Sequence, residues 1–185
     1  MKILGISGSL RAASSNARLL RAIAALAPEG WAFTFFDQEI GRLPHFSPDL
    51  DQEGAPAVES VAEFRGLLRA CDGVLISCPE YAHGVPGAFK NALDWLVSSG
   101  ELSAKPVALL MASPSGAEYA RAALTPTLEV LEADLVFEAS LVFAAAQHLD
   151  ANGQLIDAEL VDAVERSLAA LARARQSSPG PDGET

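Results

Sequence analysis

The chain has 185 residues, half of them hydrophobic, with 13 basic against 24 acidic side chains and a formal net charge of -11. That length suits one compact domain with a sizeable core, and so negative an average field repels nucleic-acid backbones and anionic membrane surfaces, so neither is expected as a partner. Cys71 and Cys78, the two cysteines, are spaced neither as C-x-x-C nor as a metal half-site, which argues against a disulfide framework and a zinc centre and leaves core thiols.

The chain opens on an apolar run, Ile3-Leu4-Gly5-Ile6, that breaks into the polar turn Ser7 to Asn16. A buried strand feeding a turn of hydroxyls and small residues, then a helix, points backbone N–H groups and the positive end of the helix dipole at one spot, which suits a phosphate. Arg11 adds a guanidinium able to contact the same dianion. The other reading is an ordinary strand-to-helix turn with Ser14 or Ser15 as the N-cap. Tighter motifs are absent: Gly5 and Gly8 do not begin a G-x-G-x-x-G fingerprint, no Walker A loop is present, and Ser9 stands where a G-x-S-x-G elbow needs its second glycine.

From Ala17 to Ala27, Leu19, Leu20, Ile23, Ala24 and Leu26 share one face and predict a helix, closed by Pro28-Glu29-Gly30. Trp31 to Phe36 predicts a second strand. Gln38 to Pro56 is a long non-periodic loop, of the kind that serves function, covers an interface or is plain exposed connection. Ala57 to Ala70 is the next helical stripe. Val74 to Cys78 is a continuous apolar strand, as expected where a parallel sheet is covered on both faces. It runs into the loop Pro79 to Gly87, followed by a helix from Ala88 to Val97.

Pro106 to Met111 predicts a fourth strand, ending in the loop Ala112 to Ala117. A helix follows from about Glu118 to Ala133, in which Thr125-Pro126 marks either a kink or a restart. Leu135 to Ala144 supplies a fifth strand, His148 to Asp157 a turn, and Leu160, Val161, Val164, Leu168 and Leu171 a last amphipathic helix. Residues 176–185, all Ser, Pro, Gly, acids and their like, are expected as a disordered tail after a single domain over 1–175. No run approaches the ~20 apolar residues of a transmembrane helix, and no signal-peptide pattern opens the chain, so the expected compartment is the cytoplasm.

Five alternations of strand and helix predict an α/β, doubly wound parallel sheet with helices on both faces. Ligands bind such sheets outside the carboxyl ends of the strands, where the strand order switches. The polar loops follow the first, third and fourth strands, which are adjacent in the five-stranded order 2-1-3-4-5 and would bring those loops together.

Three passages, GSLRAASSN at Gly8 to Asn16, PEYAHGVPGAFKNALDW at Pro79 to Trp95 and ASPSG at Ala112 to Gly116, resemble the NAD(P)H-dependent FMN reductase family, flavodoxin-like enzymes with quinone, chromate and azo-dye reductases among them. The resemblance extends to about Arg173. It implies that Ser9, Arg11, Ser14, Ser15 and Asn16 hold the phosphate of noncovalently bound FMN. It also implies that Pro79, Glu80, Tyr81 and Ala82 line the isoalloxazine ring and that Ser113 approaches its pyrimidine side. Against the commoner family form PEYNYSIPG, Ala82 replaces an asparagine and Gly84 a serine. His83 stands where the family often has tyrosine, which favours packing or stacking over proton transfer, and Glu80 is read as orienting the loop.

The implied activity is hydride transfer from NADPH or NADH through FMN to a small acceptor by a ping-pong mechanism, with no catalytic side chain, since the cofactor carries the chemistry. A homodimer or homotetramer is implied likewise. The alternatives are an electron-carrier flavodoxin, whose phosphate loop is normally rich in threonine and glycine, and a flavin-free module that kept only the fold.

Overall fold

The computed structural model describes residues 1–112, 116–143, 148–150 and 152–177. Its strands are β1 (Lys2–Ser7), β2 (Ala32–Phe36), β3 (Gly73–Ser77), β4 (Pro106–Ala112), β5 (Asp134–Leu135) and β6 (Leu141–Phe143). The helices are α1 (Ser15–Ala25), α2 (Glu59–Ala70), α3 (Gly87–Asp94), α4 (Glu118–Val130) and α5 (Ala158–Ser177). All strand pairs are parallel, in the order β2-β1-β3-β4, with β5 and β6 both on the far edge of β4. This is the flavodoxin-like arrangement that the alternation predicts.

Alternation along the strands sorts their side chains into two apolar layers. Leu4, Ile6, Val74, Ile76, Val107 and Leu109 pack with Phe64 and Leu68 of α2, Phe89 and Leu93 of α3 and Leu124 and Leu128 of α4. Ile3, Leu75, Ala108 and Leu110 face the other way, onto Leu19, Leu20 and Ile23 of α1 and Val164, Leu168 and Leu171 of α5. Gly5, two residues after Ile3, faces this second side too, and a Cβ there would stand 2.9 Å from the Phe35 ring.

Two expectations need correction and one open alternative is narrowed. The fifth strand is not continuous: β5 pairs with Pro106 and Val107, β6 with Leu110 to Ala112, and a 3₁₀ turn, Phe137–Ala139, separates them. Ser140 makes the break tolerable. Its hydroxyl donates to the Val136 carbonyl (3.1 Å) and accepts from the Leu109 N–H (3.0 Å), while Ser167 of α5 donates to the Ala139 carbonyl. Secondly, α4 runs through Pro126 without restarting. The hydroxyls of Thr125 and Thr127 donate back to the carbonyls of Arg121 (3.0 Å) and Ala123 (2.9 Å) beside the bond that proline cannot make. Thirdly, α5 continues to Ser177, so Gln176 and Ser177 are helical, and residues 178–185 lie outside the described residues.

The long loop after β2 is tied down. Asn91 of α3 accepts from the Phe46 N–H (2.8 Å) and donates to the Pro44 carbonyl (2.9 Å), and the indole of buried Trp95 donates to the same carbonyl (3.0 Å). Arg65 of α2 pairs with Asp51 at 2.7 Å. Trp95 is thus a packing residue, with Phe46 set edge-on to its ring at 5.2 Å. Among the described residues no helix is long and apolar enough to cross a membrane.

Candidate active site

β1 and β3 end side by side, with Ser7 opposite Ser77, and the two loops that follow leave the sheet together. The Gly8 N–H donates to the Ser77 carbonyl at 2.9 Å. A Cβ on Gly8 would stand 3.2 Å from the Cys78 sulfur and 3.3 Å from the Phe89 ring, tight contacts that glycine avoids where the turn sits low over the core. The Ser9 hydroxyl, buried, accepts from the Arg11 N–H at 3.3 Å. Ser14 is the N-cap of α1, its hydroxyl accepting from the Ala17 N–H at 3.3 Å, and Ser15 is the first helical residue. The N–H groups of Ala12, Ala13 and Ser15 find no acceptor among the described residues.

These groups border a cavity of about 390 Å³ lined by Ser9, Arg11, Ala12, Ser14, Ala17, Arg18, Arg21, Asp37 and Gln38. Free N–H donors at a helix N-terminus, a guanidinium and a hydroxyl are a donor set that fits a phosphate dianion. Arg11 is exposed and has no ion pair among the described residues. Arg21 pairs with Asp37 at 2.7 Å and lies 4.8 Å from the centre of the Phe35 ring, and Arg18 donates to the Asp150 carbonyl at 3.0 Å. Burial pushes the Asp37 carboxyl up, but the hydrogen bonds from Arg21 and the Gln38 N–H and the charge of Arg21 together hold it below its ordinary value. Asn16 turns inward, its side-chain carbonyl accepting from the Ser77 hydroxyl at 2.9 Å, which ties α1 to β3.

The second loop folds back on itself. Tyr81 and Gly84 exchange both backbone hydrogen bonds, at 3.1 and 3.0 Å, across Ala82 (φ 50°) and His83 (φ 56°). Two positive φ values in succession belong to the mirror-image tight turn, which normally carries Asn, Asp or Gly. Pro79 is buried beneath it. Tyr81 projects outward, its hydroxyl 3.3 Å from that of Ser9, which links the two loops.

Glu80 reaches across to the fourth helix. Its Oε2 accepts from the N–H groups of Tyr119 (2.9 Å) and Ala120 (3.0 Å), so it caps α4 from 39 residues away, in place of Ala117, which has no capping side chain. Its Oε1 lies 3.7 Å from His83 Nδ1, and the His83 ring meets that of Tyr119 at 4.4 Å and 60°. Cys78 is fully buried, and burial pushes its thiol up to about 12, which makes it an inert packing group.

The structure therefore brings Ser9, Arg11 and Ser14 onto one cavity, sets Pro79, Glu80, Tyr81 and Ala82 on the adjoining loop, and places Ser15 and Asn16 on the helix behind. Ser113 lies outside the described residues. Sequence reasoning missed Arg18, Arg21 and Asp37 around this cavity, and Tyr119 beside His83. A signal for the first pair existed in the i, i+3 spacing of two arginines one turn beyond the cap; Tyr119 and Asp37 carried none.

The family profile of NADPH-dependent FMN reductase matches residues 1–165. The NAD(P)H-dependent FMN reductase PA1204 of Pseudomonas aeruginosa is 35% identical over 176 residues, covering 92% of this chain and 93% of its own. A quinone reductase of Pseudomonas putida is 34% identical over 160 residues, covering 82% of this chain and 83% of its own. Among solved structures, the flavoenzyme NAD(P)H:(acceptor) oxidoreductase FerB of Paracoccus denitrificans superposes with a TM-score of 0.81 at 26% identity, covering 96% of this chain and 98% of the other. With the phosphate-type cavity at the end of β1 and the folded loop after β3, these likenesses place the chain in the NADPH-dependent FMN reductase family, as an oxidoreductase that works with FMN and NAD(P)H.

Proposed function

We propose that the protein takes a hydride from NADPH or NADH and delivers it to a quinone, by a ping-pong mechanism, with FMN held noncovalently across the two loops. The observation that carries this reading is the union of the phosphate-type cavity with the Pro79 to Gly84 loop through the Ser9–Tyr81 contact. Bound there, FMN would supply the hydride-accepting and hydride-donating centre. Overall one hydride leaves the nicotinamide, and the quinone gains that hydride and one proton from water to become the hydroquinone.

The chain's own contribution is placement. Arg11, Ser9, Ser14 and the free N–H groups would hold the phosphate, Asn16 and Ser15 would steady the helix behind it, and Pro79, Glu80, Tyr81 and Ala82 would shape the ring edge, with Ser113 completing the third side. Two loops that wrap the phosphate and one ring edge leave one open approach, used by donor and acceptor in turn. The quinone is favoured over free flavin, azo compounds and metal oxyanions because relatives named quinone reductase recur. We place the enzyme in the cytoplasm, as a single domain over 1–175 that assembles as a homodimer or homotetramer.

Titration with NADPH under anaerobic conditions should bleach the flavin absorbance completely with no acceptor present, and initial rates at several quinone concentrations should give parallel double-reciprocal lines. Intersecting lines with no bleaching would overturn the ping-pong reading. Protein that stays colourless when FMN is added would overturn the FMN site itself.

A further inference from the structure

We infer that Tyr119, at the first turn of α4, is a specificity-determining residue of this enzyme: together with His83 it forms an aromatic wall that selects flat ring acceptors. The inference rests on the FMN site proposed above and adds to it a residue from a different element.

Tyr119 belongs to neither apolar layer of the core and is 56% exposed, so the fold does not use its ring. Its side chain makes no hydrogen bond among the described residues, yet its backbone is held firmly, because its N–H donates to the Glu80 carboxylate at 2.9 Å. The one aromatic ring paired with it among the described residues is His83, at 4.4 Å and 60°. That pairing puts two exposed ring systems from separate elements at the open side of the loop that would line the flavin. Beside them Ala82 and Gly84 are small, which leaves room for a flat molecule to slide in.

Charge at the wall points the same way. Glu80 and Glu118 are acids, and no lysine or arginine pairs with Glu80, His83 or Tyr119 among the described residues. A metal oxyanion arriving here finds the Glu80 and Glu118 carboxylates with no lysine or arginine paired to them at the wall, whereas a quinone ring gains edge or offset stacking.

The test measures reoxidation of dithionite-reduced holoenzyme by anaerobic stopped flow, which removes the donor from the comparison. A two-ring quinone is set against ferricyanide, an octahedral ion that cannot stack. Tyr119→Ala and Tyr119→Leu should each slow the quinone reaction by about three- to tenfold, the loss expected when one aromatic contact is removed. Tyr119→Phe should stay within about twofold of wild type, and all three variants within about twofold for ferricyanide. Equal slowing with both oxidants, or a quinone rate that Tyr119→Ala and Tyr119→Leu leave within twofold, would overturn the inference. Wild-type protein without flavin absorbance would overturn the FMN site first, an outcome visible before any rate is taken.

Discussion

Removing Glu80 should loosen two elements at once, because one carboxylate serves both. The side chain is only 8% exposed and accepts two N–H bonds, at 2.9 and 3.0 Å, from the first turn of α4. Replacing a helix cap by alanine costs about 0.5–2 kcal/mol, and hydrogen bonds to a charged group about 1.5–3 kcal/mol each when nothing replaces them. Tyr119 is exposed, so water can reach its freed N–H, while Ala117 offers no substitute side chain. That puts Glu80→Ala near 2 kcal/mol, or about 4–8 °C in Tm for a chain of this size. Glu80→Gln keeps an acceptor and loses only charge and its helix-dipole share, so it should cost about 1 kcal/mol. Urea unfolding of the apoprotein followed by far-UV circular dichroism reads both. The loop effect is separable: Ala104→Gly relaxes an exposed residue at φ 53° far from the site and should return about 1 kcal/mol, without restoring the FMN affinity lost with Glu80. A cost below 0.5 kcal/mol for Glu80→Ala, or equal costs for the two variants, would refute the capping argument.

Arg11→Ala should weaken FMN binding tenfold to a little over a hundredfold by fluorescence titration, the equivalent of about 1.5–3 kcal/mol; a change under twofold would mean that the N–H groups suffice alone. Ala82→Asn, which restores a residue suited to φ 50°, should raise stability by about 0.5–1 kcal/mol in the same urea assay, and a loss would mean that the turn is not the strained element. Cys78, pushed to about 12, and Cys71, also raised by burial, should both resist a thiol-specific chromogenic disulfide at pH 8 and react only in denaturant, so one fast-reacting thiol in native protein would contradict their burial.

Much of this molecule is legible because its signals are local. β1, β3 and β4 are covered on both faces and so appear as unbroken apolar runs, and the side-chain bonds that shape the turn after β1, Ser9 to Ser7, Arg11 to Ser9 and Ala17 to Ser14, each span two or three residues. The break between β5 and β6 is different. LVFEASLVFA has the composition of one strand, and what interrupts it is Ser140 bonding to Leu109 and Ser167 bonding to Ala139, contacts 31 and 28 residues apart that no local pattern carries. Glu80 could be read as orienting its loop, but its partners lie on a helix whose place is set only by the sheet order. Pro126 left a kink and a restart both open for a related reason, since the two threonine hydroxyls bonded within the same helix beside it carry no local signal.

The cavity proposed for the phosphate bears on how a chain of net charge -11 could still attract a dianion. Salt screens charges beyond about 8–10 Å, so the many surface acids count for little at the cavity and its own lining decides. Three arginines meet there, and their partners divide the work. Arg21 is matched by Asp37 and laid over Phe35, and Arg18 is spent on the Asp150 carbonyl, so both hold the wall of the cavity in shape. Arg11 and Arg18 are both exposed with no ion pair among the described residues, but only Arg11 stands in the turn whose N–H groups also lack acceptors. A cation already matched by a carboxylate adds little net attraction, whereas an unmatched one beside unpaired N–H donors adds its full share. On the proposed reading, the turn from Gly8 to Ser15 would supply an unmatched guanidinium together with free N–H donors, and Arg18, held on a neutral carbonyl, would add charge from the adjoining helix.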